Sequence, residues 1–260
     1  HRHPGVRVVV GTEIHGDIAV LSLSRPPVNA INLEVINTLR DELKRHESDK
    51  SVRGVVLTGR DGCFSAGLDI SELFPKDREY IKSFWADFSS LLLDLFSFSK
   101  PLYSAIGGHC PAGGTVMVIM TDYRVMADGR YVIGLNEIDV GLTVPYGIGS
   151  VFQYVVGNRN AEDLLMKAKL VPPSDALEYG LIDEICSQEK LMETTLDRIS
   201  EASALYSNQQ TLTKKILRES HLNTFRANLD RDTDIILDSW FSESGQARLR
   251  TLYDRLTQKS

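Results

Sequence analysis

What most constrains the fold of this chain is a change of period partway along it. Up to about residue 145 the apolar positions alternate between every second residue and every third or fourth. Residues 6–10, 18–23, 52–59 and 101–106 read as strands, with Gly16-Asp17 as the turn between the first two. Asn32 is a side-chain cap for a helix running to about Glu47, with Leu33, Ile36, Leu39 and Leu43 on one face. A long amphipathic helix falls within 77–98, a helix apolar nearly all round within 113–121, and short strands at 123–127 and 131–133. Strand, helix and strand in this succession argue for an α/β protein of stacked ββα units. After about Pro145 the strands stop: 146–156, 160–169, 174–179, 189–203, 208–219, 224–240 and 244–256 all read as helix. No low-complexity linker divides the two parts, so the helical third is expected to pack on the core or on a neighbouring subunit.

A chain of 260 residues is long enough to bury a core, as one large domain or one domain with a helical appendage. The net charge of -6 argues against a partner bound through phosphate neutralisation, so no nucleic acid is expected. Cys63, Cys110 and Cys186 have no metal-like spacing, and an odd, sparse set fits buried thiols in a reducing compartment. The apolar run at 116–120 is far too short for a membrane span. The chain begins His1-Arg2-His3 without Met and ends Gln258-Lys259-Ser260, which is not the peroxisomal Ser-Lys-Leu address. A removed organellar transit peptide is the expectation from this pattern.

Two segments carry small residues where a strand should end in polar turn residues. Cys63-Phe64-Ser65-Ala66-Gly67-Leu68-Asp69-Ile70 follows the strand at 52–59, and Gly107 to Gly114 follows the strand at 101–106. Small side chains let a ligand reach backbone N–H groups, and a helix starting after each turn would aim such groups outward. Either turn alone is equally explained by tight packing, with Asp69 as a helix cap. Two of them together suggest an oxyanion hole, which is often built from backbone N–H groups of separate segments.

At this point a resemblance appears. "FSAGLDI" (64–70), "GHCPAGGTVMVIMTDYRVMAD" (108–128) and "NEIDVGLTVP" (136–145) are similar, in order and separation, to the three signature blocks of the crotonase (enoyl-CoA hydratase/isomerase) superfamily. "PPSDALEYGLIDEI" (172–185) resembles a fourth family segment, and the likeness covers nearly the whole chain. It implies a spiral of ββα units over 1–200 and a C-terminal helical segment over 201–260 that serves trimerisation and as a lid. It implies an acyl-CoA thioester substrate whose oxygen is held by the N–H groups of Leu68 and Gly113. Phe64, Ser65, Ala66, Gly67 and Leu68 would line the CoA site, with the backbone at Ala66 against the adenine. No cofactor is implied beyond the coenzyme A that is part of the substrate. A homotrimer in the mitochondrial matrix is implied as well, since the end of the chain resembles the family's mitochondrial branch.

The hydratases of this family set two glutamates against the thioester. The position matching the first is Val116 here; the second is Glu137. Adding water needs both groups, one to activate it and one to deliver a proton. A lone Glu137 can still take a proton from C2 of a 3-enoyl-CoA and return it at C4, giving trans-2-enoyl-CoA in fatty-acid β-oxidation. The alternatives are another crotonase-type reaction, whether hydration, hydrolysis or decarboxylation, or an acyl-CoA-binding protein without catalysis. Asn136 is a candidate to orient the base or touch the acyl-CoA, and Asp139 reads as a cap or surface charge. Lys214 and Lys215 are the candidates for the CoA phosphates, Arg25 and Arg60 weaker ones, each equally readable as a solvated charge. Trp240 and Phe241 are expected to pack rather than to cover the acyl chain. The six histidines are scattered, and none is assigned a catalytic or metal role.

Overall fold

The computed structural model describes residues 8–258. The chain is built on a six-stranded sheet of β1 (Val10–His15), β2 (Ile18–Leu23), β3 (Gly54–Thr58), β5 (Leu102–Ile106), β7 (Tyr123–Ala127) and β9 (Glu184–Cys186), in that spatial order. β1 and β2 form an antiparallel hairpin with Val10 opposite Leu23, and every later pair is parallel. Three of these strands run on into a second, smaller parallel sheet: β4 (Gly62–Cys63), β6 (Gly108–Pro111) and β8 (Ile133–Gly134) follow β3, β5 and β7. Each turn of the chain thus places one strand in the large sheet, one in the small sheet, and then moves on, which is the stacked ββα architecture read from the periods.

The large sheet is covered on both faces, and period-2 alternation sorts the side chains. Ala19, Leu21, Val55, Leu57 and Leu102 point into the main core, where they meet α1 (Leu33–Ser48) and α3 (Arg78–Phe96). Ile18, Val20, Val56, Ala105 and Val125 point the other way, onto α8 (Leu191–Ala204) and its Ile199. α1 begins where the sequence indicates, with the Asn32 side chain accepting from the Val35 N–H at 3.1 Å.

The remaining helices are α2 (Ile70–Leu73), α4 (Gly113–Val118), α5 (Tyr146–Val156), α6 (Asn158–Met166), α7 (Pro173–Glu178), α9 (Asn208–Ala227), α10 (Leu229–Trp240) and α11 (Glu243–Thr257). The C-terminal ones fold back on the core: α10 lies on α3 and α11 on α2. Asp232 of α10 ties the two parts further, its carboxylate accepting from the Tyr146 and Gly147 N–H groups at 2.8 and 2.9 Å.

Several expectations need correction. The first strand is Val10–His15 rather than 6–10, of which residues 6–7 lie outside the described residues. It is an edge strand whose second half is exposed, so its polar residues hid it. Strands do not stop at Pro145, because β9 joins the far edge of the sheet. Three residues are too few to show a period. α9 runs on to Ala227, and the break falls at Asn228 rather than near 220.

Candidate active site

The first small-residue turn is pinned from behind. The Asn29 side chain donates to the Phe64 carbonyl at 3.0 Å, Ser65 Oγ donates to the Asn29 carbonyl at 2.8 Å, and Ser65 Oγ accepts from the Gly67 N–H at 3.1 Å. Leu68 then pairs with Ile31 in a parallel bridge, in which the Ile31 N–H reaches the Gly67 carbonyl and the Asp69 N–H reaches the Ile31 carbonyl. In that pairing the N–H of Leu68 itself faces away from Ile31. It has no acceptor among the described residues. Asp69 locks the far side: it caps α2 through the Glu72 N–H and holds Arg25 at 2.6 Å.

The second turn is strained. Ala112 sits at φ 49°, ψ -123°, a region that a side chain disfavours, and its N–H is tied to the Gly134 carbonyl at 2.8 Å. This twist starts α4 at Gly113, whose N–H, at the first helical position, has no partner within the helix. The two turns abut. A Cβ on Gly67, which has φ 92°, would lie 3.0 Å from the Gly113 nitrogen, and one on Gly113 would lie 3.2 Å from the Leu68 nitrogen. Gly67 is therefore required both by its backbone angle and by the closeness of the second turn. The result is two unpaired N–H groups from separate segments, side by side on one wall.

Leu68 and Gly113 both line a cavity of about 310 Å³, together with Glu137 and Val116. Glu137 stands on a tight turn just after β8. Its Oε2 has no hydrogen-bond partner and no contact with solvent, although the residue as a whole is half-buried. Burial pushes its carboxyl up from the ordinary value to about 7. The other walls are apolar: Trp85 and Phe88 from α3, Ile148 from α5, Ile236 from α10 and Leu252 from α11. The arrangement suits chemistry that builds negative charge on a carbonyl oxygen and needs one carboxylate near neutrality to carry a proton.

Of the residues singled out in the sequence, Ala66, Leu68, Gly113, Asn136, Glu137 and Val116 come together around this cavity, and Gly67 lies directly behind it. Phe64 and Ser65 do not line it. Phe64 is fully buried in the main core, and the Ser65 hydroxyl is consumed in holding the turn. Lys214 and Lys215 are not brought to the cavity either. Lys214 Nζ donates to the Lys100 carbonyl at 2.9 Å and pairs with Asp122 at 2.8 Å, where Arg218 also binds, and burial lowers its pKa. Lys215 is exposed on α9, away from the site. Arg25 serves Asp69, and Arg60 donates to the Pro27 carbonyl at 2.9 Å. Trp240 is a core residue and Phe241 lies under Arg78, as packing predicts. Asp139 reaches the cavity wall, more than its reading as a surface charge allowed.

The sequence reading missed the apolar walls and Arg255, an exposed cation of α11 that also lines the cavity. Their only signal is helical periodicity, which looks the same for a core face and a pocket face. Among the described residues no three His, Cys, Asp or Glu side chains are grouped as metal ligands would be.

A ββα spiral that sets two unpaired backbone N–H groups and one buried carboxylate about a single cavity has the form of an enzyme site. The comparisons narrow it. The family model described as enoyl-CoA hydratase/isomerase matches residues 13–247, and the chain belongs to that family. Enoyl-CoA delta isomerase 1, mitochondrial, of Homo sapiens is 34% identical over 97% of this chain and 84% of that protein. The Mus musculus protein of the same name is 33% identical, covering 99% of this chain and 90% of its own length. The crystal structure of human mitochondrial delta3-delta2-enoyl-CoA isomerase superposes with a TM-score of 0.93 at 33% identity, over 97% of this chain and all of that one. The enoyl-CoA hydratase from Bacillus halodurans, at 22% identity and a TM-score of 0.85 over 94% of this chain and all of its own, shares the fold.

Proposed function

We infer that this chain is an enoyl-CoA isomerase that converts 3-enoyl-CoA to trans-2-enoyl-CoA in fatty-acid β-oxidation. The observation that carries the reading is the pairing of Glu137, whose carboxyl is raised to about 7, with Val116 in the one cavity that also receives the N–H groups of Leu68 and Gly113. The ionised Glu137 removes a proton from C2. The electron pair spreads over the thioester and the C3–C4 double bond as a dienolate, with its oxygen held by the two N–H groups. Glu137 then returns the proton to C4, which leaves the double bond between C2 and C3. Proton count and charge are unchanged over the cycle, so no cofactor or co-reactant is needed. Water addition would need a second carboxylate, and the aliphatic Val116 stands at the cavity wall instead.

Coenzyme A enters over Ala66, and Arg255, with no ion-pair partner among the described residues, is the cation best placed for its phosphates. In this reading residues 201–260 close the acyl pocket and contribute to a homotrimer. The mitochondrial relatives support a place in the mitochondrial matrix. The test is Glu137→Gln in the purified full chain, assayed with 3-enoyl-CoA by the absorbance of the conjugated product. A loss of about 10²–10⁴-fold in kcat with CoA-analogue binding retained is expected. Full activity in the variant, or hydration of 2-enoyl-CoA by the wild type as fast as isomerisation, would sink the assignment.

A further inference from the structure

The base sits on a turn that the sheets do not hold. After β8 the chain makes a single coil in which the Asp139 N–H reaches the Asn136 carbonyl, and the Val140 and Leu142 N–H groups both reach the Glu137 carbonyl at 3.1 and 2.8 Å. Gly141, at φ 83°, ends it. Such a coil finishes like a helix C-terminus, with carbonyls pointing out of its end. The Ile138 carbonyl has one internal partner, and the Asp139 carbonyl has none.

Both are met from α11. Arg248 Nη1 donates to the Asp139 carbonyl at 2.6 Å and to the Ile138 carbonyl at 3.2 Å. Among the described residues it is the only side chain that hydrogen-bonds to residues 136–142 from outside them, and it makes no ion pair with a carboxylate. A cation at the open carbonyl end of a turn is electrostatically favoured. The contact is made possible by Gly141. A Cβ on Gly141 would lie 2.9 Å from Gly245 Cα, so the first turn of α11 rests directly on the coil. Gly245 and Arg248 lie one turn apart on α11, and Leu252 and Arg255, on the same face one and two turns further, line the cavity.

We propose that Arg248 is a positioning residue, whose guanidinium caps the turn bearing Glu137 and thereby sets the carboxylate against the substrate carbon. This rests on Glu137 as the proton carrier. Arg248 is exposed and does not itself line the cavity, touching only the outer side of the turn, so its loss should not unfold the chain. The experiment uses the full chain with Arg248→Ala and Arg248→Lys, measuring isomerisation of 3-enoyl-CoA together with amide hydrogen exchange over 136–142. The alanine variant is expected to lose about tenfold in kcat with KM within about twofold, because the base drifts while substrate contacts remain. Exchange should quicken in 136–142 and nowhere else. Lysine, able to donate to the same carbonyls, should restore part of both. Unchanged kcat in the alanine variant, a rise in KM at constant kcat, or unchanged exchange in the turn each overturns the proposal. A wild-type chain inactive on 3-enoyl-CoA would defeat the functional reading alone; the exchange result would still decide whether Arg248 holds the turn.

Discussion

The two walls of the cavity are made by different means. One is backbone: the Leu68 and Gly113 N–H groups, fixed by a parallel bridge, a strained alanine and a glycine with no room for a side chain. The other is side chain: Glu137 on a coil propped by α11, and the acyl wall of Trp85, Phe88, Ile236 and Leu252 drawn from three helices. Backbone donors are insensitive to what side chain the residue bears but intolerant of any shift in the chain. Side-chain walls respond to substitution one residue at a time. This difference governs what each mutation should do.

The largest effect should come from moving the backbone wall. Gly67→Val forces a side chain into the Gly113 nitrogen at a positive φ. It should cost about 10²–10³-fold in kcat, the effect of losing one oxyanion donor. A valine variant that folds and turns over normally would show that the two N–H groups are not the catalytic donors.

Glu137 supplies the next test. Its carboxyl titrates near 7 in the folded protein, and only the ionised form accepts a proton. kcat should therefore fall about tenfold per pH unit below that value and level off above it. The same burial has a stability consequence of opposite sign to an ion-paired acid. An unfolded Glu ionises near 4.5, so each step up in pH from there to about 7 favours the unfolded chain, and the penalty is constant beyond. Glu137→Gln should accordingly melt higher than the wild type at pH 8, with the gap closing toward pH 4.5. A gap independent of pH would mean that Glu137 is not buried as an acid.

On the acyl wall, Trp85→Ala removes an aromatic that is buried against Phe88 with ring centroids 5.6 Å apart. Preference should shift several-fold toward longer acyl chains, read as kcat/KM across a chain-length series, at a stability cost of about 3–5 kcal/mol. An unchanged chain-length profile would remove Trp85 from the pocket. The smallest effect should be that of Leu68→Ala. It keeps the N–H that matters and should leave turnover within about threefold, the counterpart to Gly67→Val on the same wall. If it abolished turnover in a folded protein, the backbone reading of this segment would fail.

Much of the fold was legible because strands and helices announce themselves by period. α1 with its Asn32 cap, β2, α5 and β7 lie where the pattern puts them. The strands β4, β6 and β9, of two to four residues, were not legible, and β8 falls at Ile133–Gly134 rather than 131–133, since so short a stretch has no period. In the candidate site, Leu68, Gly113 and Glu137 were legible because two small-residue turns and an acid fall in three ordered blocks that resemble those of a known family, and the structure brings all three to one cavity. Phe64 and Ser65 do not line the cavity, because a residue of the same small-residue turn can face the core or hold the turn instead. Lys214 does not reach the cavity: a basic helix reads as exposed, whereas Asp122 draws its ammonium inward.

By itself the sequence determined the ββα repeat, the small-residue turns that follow two of its strands, and a carboxyl at position 137 with none at 116. These depend on local rules: period, the angles open to glycine, and the presence or absence of a carboxyl at position 116 or 137. Only the tertiary structure decided that Gly67 and Gly113 meet, that the acyl wall comes from α3, α10 and α11, and that Arg248 reaches the turn of Glu137 across 111 residues of chain. Those contacts join segments far apart in the sequence. Whether a helix face becomes core, pocket or prop is settled by what packs against it, and no residue carries that information alone.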